Sequence, residues 1–349
     1  MKVGQCDQTI GSILKTQIFG LSLGPIGTVL NVGVLRYKRS FSLLAPPMNA
    51  LILVNPHAAG GRARKLHLQL LHWCQDHAAI HASHEQVQVL MPESIAQALH
   101  VLAELPSPTR VIVVGGDGTL NQMLPGLFKG HHEVGLVPYG SGNDCARAWG
   151  LHRMTWQAAL AFALSAPSQA MDVGCVTLDG GQPTYFHSSL AVGFDASVGH
   201  RALAGPTFLS GLARYLLATF RELVHLRNWP VRVRLNGLAI EETTMLLASS
   251  LNTPSYGGGM PAVPHAHVQG GQLHLLLAGR FNRLQTLLML PRLLLGLHLS
   301  HPRITCRPFT QAELSSPEAL PVAADGETLG HAKQLRIGVM PNALQVVMK

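Results

Sequence analysis

An α/β domain built on a doubly wound parallel sheet, followed by a mostly antiparallel β-sandwich, is the architecture this sequence predicts. Three observations predict it. Up to about residue 170, short apolar runs alternate with helical periodicity, the pattern of β–α units on a parallel sheet. Beyond that point the period switches to strands set between turn signals, including Asp179-Gly180-Gly181 and the hairpin pair Asn236-Gly237. The length of 349 residues is that of about two domains.

Residues 1–47 read apart from the rest. They carry the basic cluster Arg36, Lys38 and Arg39 and end in Pro46-Pro47. At Met48 the text changes to an apolar run. We expect 1–47 to be a poorly ordered N-terminal extension. Two origins stay open: a segment upstream of a true start at Met48, or a membrane-surface arm. No stretch of 18 uncharged apolar residues occurs, so no membrane-spanning helix is expected.

The first domain is expected over 48–170. Residues 51–54 are a buried strand ending in Asn55-Pro56 and a glycine-bearing loop. Leu66, Leu70, Leu71 and Cys74 then share a helical face. Strands follow at 87–90, 110–114 and 134–137, with helices at 95–105, from about 119, and at 155–164. The second domain is expected over 171–349, with strands at 173–177, 185–192, 231–235, 238–249, 273–277, 335–340 and 344–348. The last strand is free to return to the first domain. Helical stretches interrupt this half at 209–226 and 284–297.

Composition narrows the function. Apolar residues make up 47 % and charged residues 13 %, which excludes a disordered chain or an acidic tail. Lys and Arg outnumber Asp and Glu by 26 to 18, for a net charge of +8. A basic, apolar chain suits an anionic ligand or an anionic membrane surface. Aromatic residues are only 5 % and the arginines are scattered, so no nucleic-acid partner is expected. The five cysteines are odd in number and far apart, with no CxxC, which favours a reducing compartment. His77, His81 and His84 share a helical face and His265 and His267 a strand face. Packed or solvated histidines are the ordinary reading of both groups.

The chemistry concentrates in two loops. Gly115-Gly116-Asp117-Gly118-Thr119 sits between a buried strand and a helix start. Such glycines admit phosphates close to the backbone, where turn and helix N–H groups face the anion. An aspartate there repels phosphate unless Mg²⁺ bridges them or it orients a nucleophile. A second loop, Pro138-Tyr139-Gly140-Ser141-Gly142-Asn143-Asp144, follows the next strand. Two loops at the carboxyl ends of neighbouring strands define the ligand crevice of an α/β sheet. No Walker A pattern is present.

With these residues in place the chain resembles the diacylglycerol kinase catalytic-domain family, which includes bacterial diacylglycerol kinases, sphingosine kinases and ceramide kinases. Asn55-Pro56 with Gly60-Gly61, the segment Gly115 to Asn121, and Pro138 with Gly140-Ser141-Gly142-Asn143-Asp144 and Ala146-Arg147 carry the resemblance. Weaker matches are Asp172-Val173-Gly174, Val192-Gly193-Phe194-Asp195-Ala196, Tyr256-Gly257-Gly258-Gly259 and Asp325-Gly326-Glu327. The resemblance implies a first domain like that of phosphofructokinases and NAD kinases, an active site in the interdomain cleft, and ATP with Mg²⁺ as cofactors. It implies transfer of the γ-phosphoryl group to a lipid hydroxyl, diacylglycerol or sphingoid-like. The location it implies is cytoplasmic, peripheral to the inner face of the membrane. A homodimer is left open. Two alternatives also stay open: a soluble-substrate kinase of the NAD kinase type, and a catalytically silent nucleotide- or lipid-binding protein.

Carried onto this sequence, the resemblance has Asn55, Pro56, Gly60 and Gly61 approach the nucleotide. Gly115, Gly116, Gly118, Thr119, Leu120, Asn121 and Gln122 cradle its phosphates, and Gly140, Ser141 and Asn143 contact it from the second loop. Glu327 is the expected proton acceptor, Asp325 its close partner, with the reverse assignment open. Asp117 and Asp325 are the expected Mg²⁺ ligands. Two residues apart on an extended segment, Asp325 and Glu327 would point the same way. Three departures from the family are visible. Gln122 stands where members often have Glu, and Pro92 where a Thr is usual. Gly270 replaces the Asp of a structural Mg²⁺ site, so that ion is expected to be weak or absent. Finally, residues 284–297 are leucine-rich and flanked by arginines. They read either as a membrane-facing rim or as core helix with solvated arginines.

Overall fold

The computed structural model describes residues 50–77, 87–206, 209 and 211–349. The expectations for residues 1–47 and for His81 and His84 lie outside the described residues. In the first half the elements run β1 (Ala50–Val54), α1 (Ala63–Asp76), β2 (Val87–Leu90), α2 (Ile95–Glu104), β3 (Arg110–Gly115), α3 (Asp117–Lys129), β4 (Glu133–Pro138), α4 (Asp144–Ala148) and α5 (Trp156–Ser165). The strands lie in the order β2-β1-β3-β4, all parallel. Alternation along β1 sends Leu51 and Leu53 to one side, where Leu102 of α2 and Leu124 of α3 cover them. Ile52 and Val54 point to the other side, against Leu66 of α1 and Leu160 of α5. Both faces are therefore sealed, which is why these strands read as unbroken apolar runs. Ser94 and Thr155 cap α2 and α5 by accepting the Gln97 and Ala158 N–H groups, each worth about 1 kcal/mol.

The second half contains β5 (Gln169–Leu178), β6 (Pro183–Phe186), β7 (Ser189–Val192), α6 (Phe194–Leu203), α7 (Gly211–Leu223), β8 (Trp229–Leu235), β9 (Leu238–Met245), β10 (Leu247–Leu251), β11 (Leu273–Ala278), α8 (Arg283–Leu294), β12 (Ile304–Phe309), β13 (Gln311–Ala324) and β14 (Glu327–Val346). Its strand pairs are antiparallel. Strand β13 serves two layers. Residues 312–315 pair with β8, whereas 322–324 pair with β7. Between them, in the stretch from Ser315 to Leu320 that contains Pro317, the register with β14 shifts. A bulged strand that changes sheet is how the two layers of a sandwich are joined. Strand β14 goes further. It pairs with β13, then β5, and at Gln345 and Val346 runs parallel to Glu133 and Val134 of β4. One continuous sheet thus crosses both halves.

The structure corrects several local expectations. Strands β12 and β13 are absent from the sequence reading because Pro308, Pro317 and Pro321 break the strand signal. Pro308 stands opposite His274, on a strand that among the described residues pairs with β11 alone. Residues 238–249 split into β9 and β10, and 335–340 and 344–348 fuse into β14, with an irregularity between Met340 and Leu344. Helix α6 was also not foreseen; it starts after Gly193, whose φ of 87° disfavours any other residue. The predicted strand 185–192 breaks at His187-Ser188, a break that builds the site below. Among the described residues no helix is long and apolar enough to cross a membrane.

Candidate active site

Two glycine loops meet at the carboxyl ends of β3 and β4. Tyr139 N–H donates to the Gly115 carbonyl at 2.7 Å and ties one loop to the other. The contact is too close for side chains. A Cβ on Gly116 would lie 2.8 Å from Gly140 Cα, and one on Gly140 would lie 2.5 Å from Gly116 Cα. Asn143 holds the second loop, accepting the Gly140 N–H and donating to its carbonyl, both at 3.0 Å. Asn55 Nδ2 donates to Thr119 Oγ1 at 2.7 Å, which ties the loop after β1 to the same centre. Gly60 and Gly61 have φ of 68° and 88° with open space around them, so their glycines answer to backbone conformation.

Helix α3 begins inside the first loop. Its first internal bond runs from Leu120 N–H to the Gly116 carbonyl, at 3.1 Å. The N–H groups of Asp117, Gly118 and Thr119 precede that bond and form the anion-attracting end of the helix. Asp117 turns its side chain sideways. Its Oδ2 accepts Asp144 N–H and its Oδ1 accepts Cys145 N–H, both at 3.0 Å, so it caps α4. Asp144 sits beside it, held by Gly258 N–H at 2.8 Å and Ser255 Oγ at 3.2 Å. Burial, and then the Asp117 charge, push the Asp144 carboxyl above its ordinary range.

The hairpin joining β13 and β14 delivers the other two carboxylates. Asp325-Gly326 is a tight turn with φ of 47° and 86°, so the expected extended segment is corrected to a turn. Asp325 points inward. Its Oδ2 accepts Asn121 Nδ2 and His187 N–H at 2.8 Å each, and its Oδ1 accepts Ser188 and Ser189 N–H at 2.8 and 2.9 Å. A carboxylate offers about four lone-pair positions, and protein donors take all of them. The Mg²⁺ role expected for Asp325 is corrected on that ground; the residue anchors the hairpin. The fully buried His187 side chain adds a second tie, its Nε2 lying 3.0 Å from the Asp117 carbonyl. That carbonyl can only accept, so the proton belongs on Nε2, and Nδ1 is buried with no partner among the described residues.

Glu327 is the half-buried carboxylate of the turn. A Cβ on Gly118 would fall 2.6 Å from its Oε1, so the carboxylate lies directly on the first turn of α3. Burial, and then Asp325, raise its carboxyl above the ordinary range. A group so placed takes up a proton more readily than an exposed glutamate does.

Of the predicted site residues, Asn55, Gly116, Asp117, Gly118, Thr119, Gly140, Asn143, Asp325 and Glu327 converge here. Leu120 does not; it is fully buried in the core, and its N–H is used inside α3. Asn121 spends its amide hydrogens on Asp325 and, at 3.0 Å, on the Tyr185 carbonyl, so it is a tie between halves. Gly115 is buried against Thr119, and Pro56 is buried. Gln122 and Ser141 stand exposed. The sequence reading missed His187, Ser188 and Ser189, whose amides hold Asp325, because an unbroken strand pattern ran through them. Asp144 was legible in the second loop but carried no role. Among the described residues no three His, Cys, Asp or Glu side chains form a metal cage. The adjoining carboxylates of Asp117 and Asp144 still fit a hard cation that takes its other ligands from phosphate and water. At Gly270 the chain makes a direct clamp: Asp172 Oδ2 accepts Gly271 N–H at 2.5 Å and its Oδ1 accepts Asn342 N–H at 2.9 Å.

Known proteins share this plan. Residues 49–176 match the family model of the diacylglycerol kinase catalytic domain, and residues 188–348 match that of the YegS C-terminal NAD kinase beta sandwich-like domain. A diacylglycerol kinase of Mycobacterium tuberculosis is 31 % identical over 239 residues, covering 68 % of this chain and 76 % of the relative. A diacylglycerol kinase of Bacillus subtilis is 25 % identical over 219 residues, covering 62 % and 70 %. A solved diacylglycerol kinase structure from Bacillus anthracis str. Sterne has the same fold, with a TM-score of 0.63 at 18 % identity over 86 % of this chain and 97 % of that one.

Proposed function

We infer the chemistry below from one premise: the chain belongs to the diacylglycerol kinase family and is an ATP-dependent lipid kinase. The position of Glu327 on the first turn of α3 carries the reading. Glu327 accepts the proton of the lipid hydroxyl as that oxygen attacks the γ-phosphorus of ATP, the bond from that phosphorus to the β–γ bridging oxygen breaks, and ADP leaves. The N–H groups at Asp117, Gly118 and Thr119 hold phosphate oxygens, and Gly116 and Gly140 keep the two loops close enough to do so. Asp325 fixes the hairpin and so fixes Glu327. Asp117 and Asp144 would hold Mg²⁺, which when bound supplies charge neutralisation on the phosphates.

The lipid portion has a place to go. An apolar cavity is lined by Phe194, Tyr215, Tyr256, Leu247 and residues of α8, with the buried Asp195 also in its lining. Its Tyr256 belongs to the loop whose Ser255 and Gly258 bind Asp144, so cavity and phosphate loops are neighbours along one short segment. The division into a nucleotide-binding part, residues 48–170, and a lipid-binding part, residues 171–349, belongs to this proposal, as does action at a membrane surface.

The test is transfer of label from γ-labelled ATP into a total lipid extract with Mg²⁺, with wild type beside Glu327→Gln and Asp117→Ala. A labelled lipid made by wild type and absent with both variants is the expected result. Label incorporation that survives Glu327→Gln would remove Glu327 from the mechanism.

A further inference from the structure

Exposed apolar side chains collect in one region of the molecule. Among the described residues eleven large hydrophobics stand exposed, and nine of them belong to it. They run from Leu203 at the end of α6, through Phe220 on α7 and Val224 just past its end, to six leucines from Leu284 to Leu297. The two helices are joined there, because Arg283 Nη2 donates to the Val224 carbonyl at 2.8 Å. On α8, Leu284 and Leu288 lie one turn apart and face outward, whereas Thr286, Leu290 and Leu293 line the apolar cavity. A helix apolar on two faces has use for two apolar partners. The inner one is the cavity and the core.

Charge identifies the outer one. Residues 279–310 carry five arginines and no aspartate or glutamate. Helix α7 adds Arg221, while its Glu222 is taken by Arg201. Among the described residues Arg221, Arg280, Arg283, Arg292 and Arg303 have no carboxylate within ion-pair distance. A second copy docked through the same face would set arginines against arginines with few acids between them. An anionic bilayer accepts both features: leucines enter the acyl boundary and arginines rest on phosphates.

We propose that the outer face of α7 and α8 is the surface by which this protein docks on bilayers containing anionic phospholipid. Its purpose rests on the lipid-kinase reading, since the cavity behind the same helices then receives lipid from the bilayer. Its measurement does not depend on that reading. Vesicles of phosphatidylcholine, with and without phosphatidylglycerol, are sedimented with wild type, Leu284→Ser/Leu288→Ser and Arg221→Gln/Arg292→Gln. Wild type is expected to bind the phosphatidylglycerol vesicles, and each double variant to bind more than tenfold less at an unchanged melting temperature. Phosphorylation of long-chain diacylglycerol in those vesicles should fall in parallel, while dioctanoylglycerol below its aggregation concentration is phosphorylated within twofold of wild type. Variants that sediment like wild type would overturn the proposal. So would a wild-type dimer that Leu284→Ser/Leu288→Ser dissociates, which would give the face to a second copy. A wild type that phosphorylates neither lipid while the variants still lose vesicle binding would sink the kinase reading and leave the docking face standing.

Discussion

Asn121 and Asp325 are 204 residues apart in the chain and joined by a 2.8 Å hydrogen bond between Nδ2 and Oδ2. The bond locks the glycine loop of one half to the hairpin of the other. Replacing Asp325 by Asn keeps the shape but turns an amide NH₂ toward backbone N–H donors. With the site buried, we expect a loss of about 2–4 kcal/mol in denaturant unfolding, together with loss of activity. Glu327→Gln makes the contrast: activity falls and stability holds, since the neutral amide removes a half-buried carboxylate. Equal destabilisation by both changes would refute the division into anchor and base.

The raised Glu327 carboxyl fixes the sign of the pH dependence. A base must be ionised, so kcat/KM falls as pH drops through its pKa. That acid limb is expected above the ordinary glutamate value of about 4.3. A pH profile at saturating ATP reads it. A limb at or below the ordinary value would point to another acceptor.

Gly140→Ala places a methyl group against the Gly116 backbone, where nothing flexible can yield. Overpacking of this kind costs about 1–3 kcal/mol and pushes the two loops apart. ATP affinity is expected to drop along with the melting temperature. Gly199 in α6 is the control, because a Cβ there meets nothing within 4 Å. Gly199→Ala is expected to gain up to about 1 kcal/mol in helix propensity, with unchanged nucleotide affinity by calorimetry.

Asp195 is buried and accepts hydrogen bonds from Tyr215 and, at 2.9 Å, from Ser249 Oγ. Burial outweighs these bonds and raises its carboxyl. The folded protein therefore keeps this proton to higher pH than the unfolded chain does. Its contribution to stability is complete below the unfolded pKa and is lost as pH rises through the folded one. Between those values the slope is up to about 1.4 kcal/mol per pH unit. Asp195→Asn is expected to flatten this part of the stability curve, measured by urea unfolding across the pH range.

The clamp of Asp172 on Gly271 and Asn342 predicts that chelation separates activity from stability. EDTA should abolish phosphoryl transfer and leave the melting temperature unmoved, whereas Asp172→Ala should lower it. A melting temperature that falls with EDTA would restore a structural ion to this turn.

Much of this was readable in advance, and the limits have physical causes. The parallel half was legible because β1, β3 and β4 are buried on both faces and end in glycine loops. The carboxylates of the site were legible because Asp-Gly pairs punctuate the text. What Asp325 does was not, since its partners at His187, Ser188 and Ser189 become visible only when a strand stops pairing. The prolines of β12 and β13 hid two strands, because a proline tolerated on an edge or at a bulge looks the same in sequence as one that ends a strand. Leu120 matched the motif yet belongs to the core, as helical periodicity past Gly118 dictates.

Strand β14 has a consequence for how the molecule is made. The sheet of the first half gains its neighbour beside β4 from residues 345 and 346, more than two hundred residues further along the chain. Glu327 opens that same strand, so one element closes the catalytic hairpin and completes the early sheet. Folding must then wait on contacts of great sequence separation, which favours slow, late and all-or-none acquisition of structure. The halves that look separable in sequence are expected to melt in a single transition, and a ribosome-bound fragment lacking β14 is expected to need chaperone protection.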